Sequence, residues 1–152
     1  MNPYWDMNPR GAFIGLSASH HRGHMYRSIL EGIAFEQLFA ILSVEKAVGR
    51  KVSSLIAIGG GAASDLWCHI FADVTGKIIC LPKNTEASAL GAAIAAAVGA
   101  GWYVSFREAA NAMTGTRKKI KPDSDNSKKY KELFPIYRRL YPCLKRATAP
   151  TT

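Results

Sequence analysis

Apolar positions along the chain fall into alternating periods that predict helix, strand, helix, strand and helix in succession. From about His24 to Val48, residues Met25, Ile29, Ile33, Leu38 and Leu42 recur four or five apart, near the period of an α-helix. Gly49, followed by Arg50 and Lys51, supplies the stop. Ser53–Ile58 is a short apolar run that reads as a buried strand, broken at once by Gly59, Gly60 and Gly61. Ser64 and Asp65 then offer a cap and an acid for a second helix, whose single apolar face is Trp67, Ile70, Phe71 and Val74 and whose end is Gly76. Lys77–Leu81 is the next strand, closed by Pro82, and an alanine-rich helix runs from Thr85 and Glu86 to about Gly99. This order predicts an α/β layer with parallel neighbouring strands and right-handed crossovers.

Both ends are less regular. Residues 1–19 read as a loop with a short extended piece around Ala12–Leu16. After Trp102 the sequence turns polar, and Gly115 with the basic run beyond it reads as a loop. A last helix over Ser127–Lys145 carries Tyr130, Phe134, Tyr137 and Tyr141, and Pro135 is expected to kink or split it.

Composition narrows the class. With 152 residues, 48% of them hydrophobic and 20% charged, the chain can bury one modest core and reads as a soluble globular domain. The net charge of +9 is local: Arg117–Arg146 holds eleven Lys and Arg against three acids. No recognised nucleic-acid motif accompanies that run, which reads as a solvated helical face, so no specific nucleic acid is expected as a partner. Cys68, Cys80 and Cys143 are odd in number and form no C-x-x-C, which argues for a reducing compartment and a cytoplasmic protein. The first residues form no signal peptide. Ala87–Phe106 is uncharged for twenty positions, long enough to span a membrane, but Ala and Gly supply little transfer energy. A tightly packed internal helix is the reading, with no membrane partner.

The strongest local signal is strand, triple glycine, helix, from Ile56 to Trp67. Three glycines sacrifice backbone entropy, which makes sense where the chain turns sharply and lies flat against something. The helix that follows presents unpaired amide groups, a natural seat for a nucleotide's polar atoms. A phosphate-binding loop of the Gly-Lys-Ser/Thr kind is excluded, because the only Gly-Lys, Gly76-Lys77, leads into a strand. A dinucleotide loop would want a third glycine where Ser64 stands. A tight turn with no ligand stays open on the glycines alone. His20, His21 and His24 lack a nearby acid or cysteine in sequence, so no metal site is assigned.

Three segments in order carry a resemblance. The first is Gly11-x-Phe13-x-Gly15-Leu16, seven residues, then His24-Met25-x-x-Ser28-Ile29-Leu30-Glu31. The second is GGGAASDLWCHIFADVTGKIICLP from Gly59, followed by Glu86–Gly101, and the third is the closing stretch Lys121–Leu144. Together they resemble the carboxy-terminal domain of the FGGY carbohydrate kinases, especially the xylulokinase-like members, over most of the chain. That resemblance implies a partial actin-like ATPase, ribonuclease H-like domain: an α/β fold with a mixed sheet and packed helices over residues 1–146, and a disordered tail at 147–152.

The resemblance also implies chemistry. Gly60 and Gly61 match glycines whose backbone lies against adenine, Gly59 precedes them in the turn, and Ser64 stands where a polar residue approaches the base. Asp65 is a weaker candidate, since an acid there is more often only a cap. Glu31 is the acid of the signature and reads as a structural hydrogen-bond acceptor. His24 fills a signature position open to several polar residues. ATP and Mg²⁺ are the implied cofactors. The catalytic base, phosphate loops, Mg²⁺ ligands and sugar site are expected upstream of the matched positions, so no catalytic residue is assigned in this chain. The carbohydrate, xylulose or a related ketose or polyol, would be reached through the amino-terminal domain, and self-association stays open. The alternatives are a stand-alone binding module docking on a separate partner and a Rossmann-type NAD-binding fragment.

Overall fold

A computed structural model describes residues 11–148, with side chains as far as Lys145. Helix α1 spans Arg22–Val48 and begins earlier than its apolar period suggests, because His21 caps it. The His21 ring accepts from the Gly23 N–H at 3.1 Å, and the His24 ring accepts from the His21 N–H at 3.2 Å. Gly49, at φ 70°, closes the helix by donating to the Glu45 carbonyl at 2.9 Å. Strand β1 (Ser54–Ile56) leads through a 3-10 turn (Gly60–Ala63) into helix α2 (Asp65–Thr75). Strand β2 (Ile78–Pro82) and helix α3 (Ala87–Gly99) follow. β1 and β2 are parallel with Leu55 opposite Ile79, as the alternation of strand and helix predicts.

The carboxy-terminal third departs from expectation. Where the sequence reads as loop, the chain forms helix α4 (Phe106–Met113) and strand β3 (Thr116–Ile120). β3 pairs antiparallel with β2, placing Ile120 opposite Ile79, so the sheet is mixed and runs β1-β2-β3. Only Ile120 of β3 is buried, so no apolar alternation announces the strand. Ala12–Leu16 makes no strand, and Gly15 bends the chain there at φ 79°. Helix α5 (Ser124–Thr148) runs unbroken through Pro135 and Pro142, where a kink or split at Pro135 was expected. Rings on both sides of Pro135 (Tyr130 at 5.9 Å, Phe134 at 5.8 Å and Tyr137 at 5.0 Å) pack on Phe35, and that packing outweighs the lost backbone bond. The disordered tail expected at 147–152 falls outside the described residues from 149 onward.

α2 is the centre of the fold. One side of it, Ile70 and Val74, packs with Leu30, Ala34 and Phe35 of α1 and Tyr130 of α5. Its other side, Cys68 and Ala72, packs on Ile79, Leu81 and Ile120 of the sheet. Sheet, α2 and the α1/α5 pair therefore stack as layers. At the seam, buried Glu45 accepts from Lys77 at 2.6 Å, the Val52 N–H at 2.9 Å and Lys51 at 3.1 Å, tying the end of α1 to the segments entering β1 and β2. Lys77 above all, then the Val52 N–H and Lys51, holds that carboxyl down to about 2.

α3 and α4 lie on the sheet's other face. α3 is not the tightly packed internal helix expected: among its residues only Ala97 is buried. Its short side chains leave a cleft of about 360 Å³ between Leu90, Gly91 and Ile94 and the sheet residues Ile56, Cys80 and Pro82. No helix among the described residues is long and apolar enough to cross a membrane.

Candidate functional site

The triple glycine follows β1 after Ala57 and Ile58, and each glycine stands in a different physical situation. Gly59 adopts φ 73° and ψ −169°, a region open essentially to glycine alone, and its N–H donates to the Thr85 carbonyl at 3.1 Å. That bond fastens the turn to the loop before α3. Gly61 lies under the ring of Trp67: a Cβ there would meet the ring at 2.8 Å. Gly60 is neither at positive φ nor crowded, since a Cβ on it would meet nothing within 4 Å. Nothing in the described fold requires a glycine at position 60. The surface over it is open.

Ser64 closes the turn and caps α2. Its N–H donates to the Gly61 carbonyl at 3.2 Å, and its Oγ accepts from the Trp67 N–H at 3.3 Å. One lone pair of Ser64 is thus committed to the helix, while its hydroxyl hydrogen is free to donate outward. Asp65, in the first turn of α2, accepts from Lys118 Nζ of β3 at 3.0 Å, and that lysine lowers its carboxyl below the ordinary range. The sequence alone does not show Lys118 at this turn, because the strand that brings it there carries no apolar pattern. The turn does not fit a metal: Asp65 is already paired, and no cluster of three or more His, Cys, Asp or Glu able to hold an ion occurs among the described residues.

The signature segment folds apart from the glycine turn. Glu31 Oε1 accepts from the Tyr130 hydroxyl at 2.7 Å and from Arg27 Nε at 2.7 Å, and Arg27 Nη2 donates to Tyr130 at 3.0 Å. Burial and the bond to Glu31 push the Tyr130 hydroxyl up. Glu31 is therefore an acceptor that ties α1 to α5, which is the structural role its place in the sequence suggests. A cleft of about 860 Å³ opens beside it, between the loop at Phe13 and Ile14, α1, and Tyr137 of α5. The three histidines serve the entry to α1: His20 Nδ1 lies 2.8 Å from Ser17 Oγ, and His21 and His24 form the cap. Cys68, Cys80 and Cys143 are all free thiols.

A family model described as the C-terminal domain of the FGGY family of carbohydrate kinases matches residues 1–100. The chain belongs to that family. It is 35% identical over 139 residues to the xylulose kinase of Bacillus subtilis (strain 168), covering 91% of this chain and 28% of that one. Among solved structures, the gluconate kinase of Lactobacillus acidophilus superposes with a TM-score of 0.83 at 27% identity, covering 96% of this chain and 29% of its own. The xylulose kinase of Rhodospirillum rubrum does so with a TM-score of 0.76 at 33% identity, covering 91% and 28%. The fold is thus part of the actin-like ATPase architecture of these kinases. The chain spans under a third of the length of the relatives it matches.

Proposed function

We propose that the chain forms the adenosine-binding wall of an ATP-dependent carbohydrate kinase, with Gly59, Gly60, Gly61 and Ser64 as the nucleotide-facing residues. The carrying observation is Gly60: a glycine with no steric or conformational reason among the described residues, exposed one turn before the amino end of α2. A purine's flat face needs such a stripped stretch of backbone, and the unpaired amides of the helix start suit its polar atoms. Ser64 has a hydroxyl hydrogen left for a ring nitrogen. The γ-phosphate would pass to a sugar hydroxyl, of xylulose or a related ketose or polyol, consistent with the xylulose and gluconate kinases among the relatives. Mg²⁺, the base and the phosphate-holding turns would come from the amino-terminal part of such a kinase, because the donors at this turn do not fit them. Free thiols and a need for ATP support a cytoplasmic location.

Calorimetric titration with a nonhydrolysable ATP analogue and with NAD tests this reading. Weak binding of the ATP analogue, abolished by Gly60→Val with the circular dichroism unchanged, is expected. Tighter binding of NAD, or ATP binding that survives the substitution, would overturn it.

A further inference from the structure

The glycine turn rests on a side chain. Trp67 stands in the first turn of α2, and atoms Cζ3, Cε3 and Cη2 of its six-membered ring would meet a Cβ on Gly61 at 2.8, 3.1 and 3.6 Å. Gly61 has no positive φ, so contact with this ring is what excludes a side chain there. Phe71 backs the indole with ring centroids 5.7 Å apart, and both rings pack against the layer of Leu30, Phe35 and Ile70. The Trp67 N–H donates to Ser64 Oγ at 3.3 Å, which fixes the start of the side chain. From the next position of the helix, Cys68 Sγ lies 3.9 Å from the carbonyl oxygens of Gly61 and Ala62. α2 thus holds the turn from one side, the Gly59 bond to Thr85 holds its beginning, and Gly60 is left exposed.

Glycine over tryptophan is an unfavourable way to fill this space. Glycine gives up more backbone entropy on folding than any other residue. The indole adds a buried N–H, Nε1, that finds no acceptor among the described residues. An alanine over a leucine would fill much of the same space with neither drawback. What that pair does not supply is a plane. A flat aromatic face against bare backbone lets successive peptide groups lie level, and a methyl group between them would lift the chain off the ring.

We propose that Trp67 is a positioning residue for the nucleotide: its indole is the support that holds the backbone of Gly60 and Gly61 level to receive a purine. The proposal rests on the adenosine-wall reading and adds which side chain sets the shape of that wall. Trp67 acts through the glycines and not by touching the base. A turn that is already level binds a flat ring without first having to order itself, so removing the support weakens binding beyond any loss of stability.

The test compares Trp67→Ala, Trp67→Phe and Phe134→Ala, the last removing a ring that packs on Phe35 and Phe39 of α1. Calorimetric affinity for a nonhydrolysable ATP analogue should fall at least tenfold in Trp67→Ala and return to within threefold of the wild type in Trp67→Phe. In Phe134→Ala it should stay within twofold, although that variant unfolds at a lower temperature. Without nucleotide, hydrogen exchange in Trp67→Ala should rise at least tenfold at the amides of residues 59–64 and stay level at residues 116–120. An affinity that Trp67→Ala leaves unchanged, an equal loss in Phe134→Ala, or exchange rising alike along the whole chain would each overturn the proposal. If Trp67→Ala does not fold, the wild-type chain carrying Trp5→Phe and Trp102→Phe keeps Trp67 as its one indole. Emission that then shifts saturably with the analogue supports the proposal, and emission that stays fixed overturns it. If the wild-type chain binds no analogue while exchange in Trp67→Ala still rises only at 59–64, the support of the turn stands and the nucleotide reading alone fails.

Discussion

Neighbouring glycines give the residue scale its sharpest contrast. Gly60→Val adds a side chain into open space, so the fold should persist and the affinity for an ATP analogue should fall at least tenfold, about 1.4 kcal/mol. Gly61→Val drives a side chain into the Trp67 ring, so thermal unfolding should move down by an amount worth about 1–3 kcal/mol even without nucleotide. A calorimetric and thermal series on the two variants separates the ligand's demand from the chain's own. Glu45 offers a second check. Its carboxyl titrates at about 2 in the fold against an ordinary 4.5, so folding favours the ionised form. The stability it contributes is complete above about pH 4.5 and drains as the pH falls toward 2. Urea midpoints across that window should drop steeply for the wild type and more shallowly for Glu45→Gln.

Among the elements, α2 and its link to α5 bear most of the fold. Ile70 is among the largest fully buried side chains, in the layer between α1, α2 and α5, and Ile70→Ala should destabilise the chain by about 3 kcal/mol in chemical denaturation. Asp73, near the end of α2, accepts from the Asp123 N–H at 2.8 Å and from Asn126 Nδ2 at 3.1 Å, and the Ser127 hydroxyl donates to its carbonyl at 2.8 Å. It docks the start of α5. Asp73→Ala should cost about 2 kcal/mol, and hydrogen exchange should rise first at the amides of residues 123–127. Some elements were legible and others only readable in hindsight. α2 announced itself by cap, acid, apolar face and terminal glycine. α4 carries a usable sign in its cap: Ser105 and Glu108 stand three apart, Ser105 Oγ accepts from the Glu108 N–H at 3.2 Å, and Glu108 accepts from the Val104 N–H at 2.9 Å. β3 carried none, because one buried residue in five makes no period.

For the whole molecule, the proposed division between adenosine wall and reacting groups sets the activity expected of these 152 residues. The isolated chain should show no sugar-dependent formation of ADP in a coupled assay, with xylulose or with gluconate. Sustained turnover by the purified 152 residues would contradict the division of labour proposed between the adenosine wall and the reacting groups.

Local chemistry is what the sequence by itself determined: where α1, α2 and α3 start or stop, the parallel pairing implied by strand–helix–strand, the glycine turn, and the family. The helix ends and the glycine turn depend on neighbours within a few residues, where backbone preference and capping act, and the parallel pairing follows from the handedness of a strand–helix–strand crossover. The tertiary structure alone decided which glycine has a reason inside the fold, that Lys118 reaches Asp65 across 53 positions, and that α5 survives Pro135. It also decided that α3 stands away from the sheet. Each of these depends on which surfaces meet after the chain has folded, and packing between distant segments leaves no period in the sequence to read.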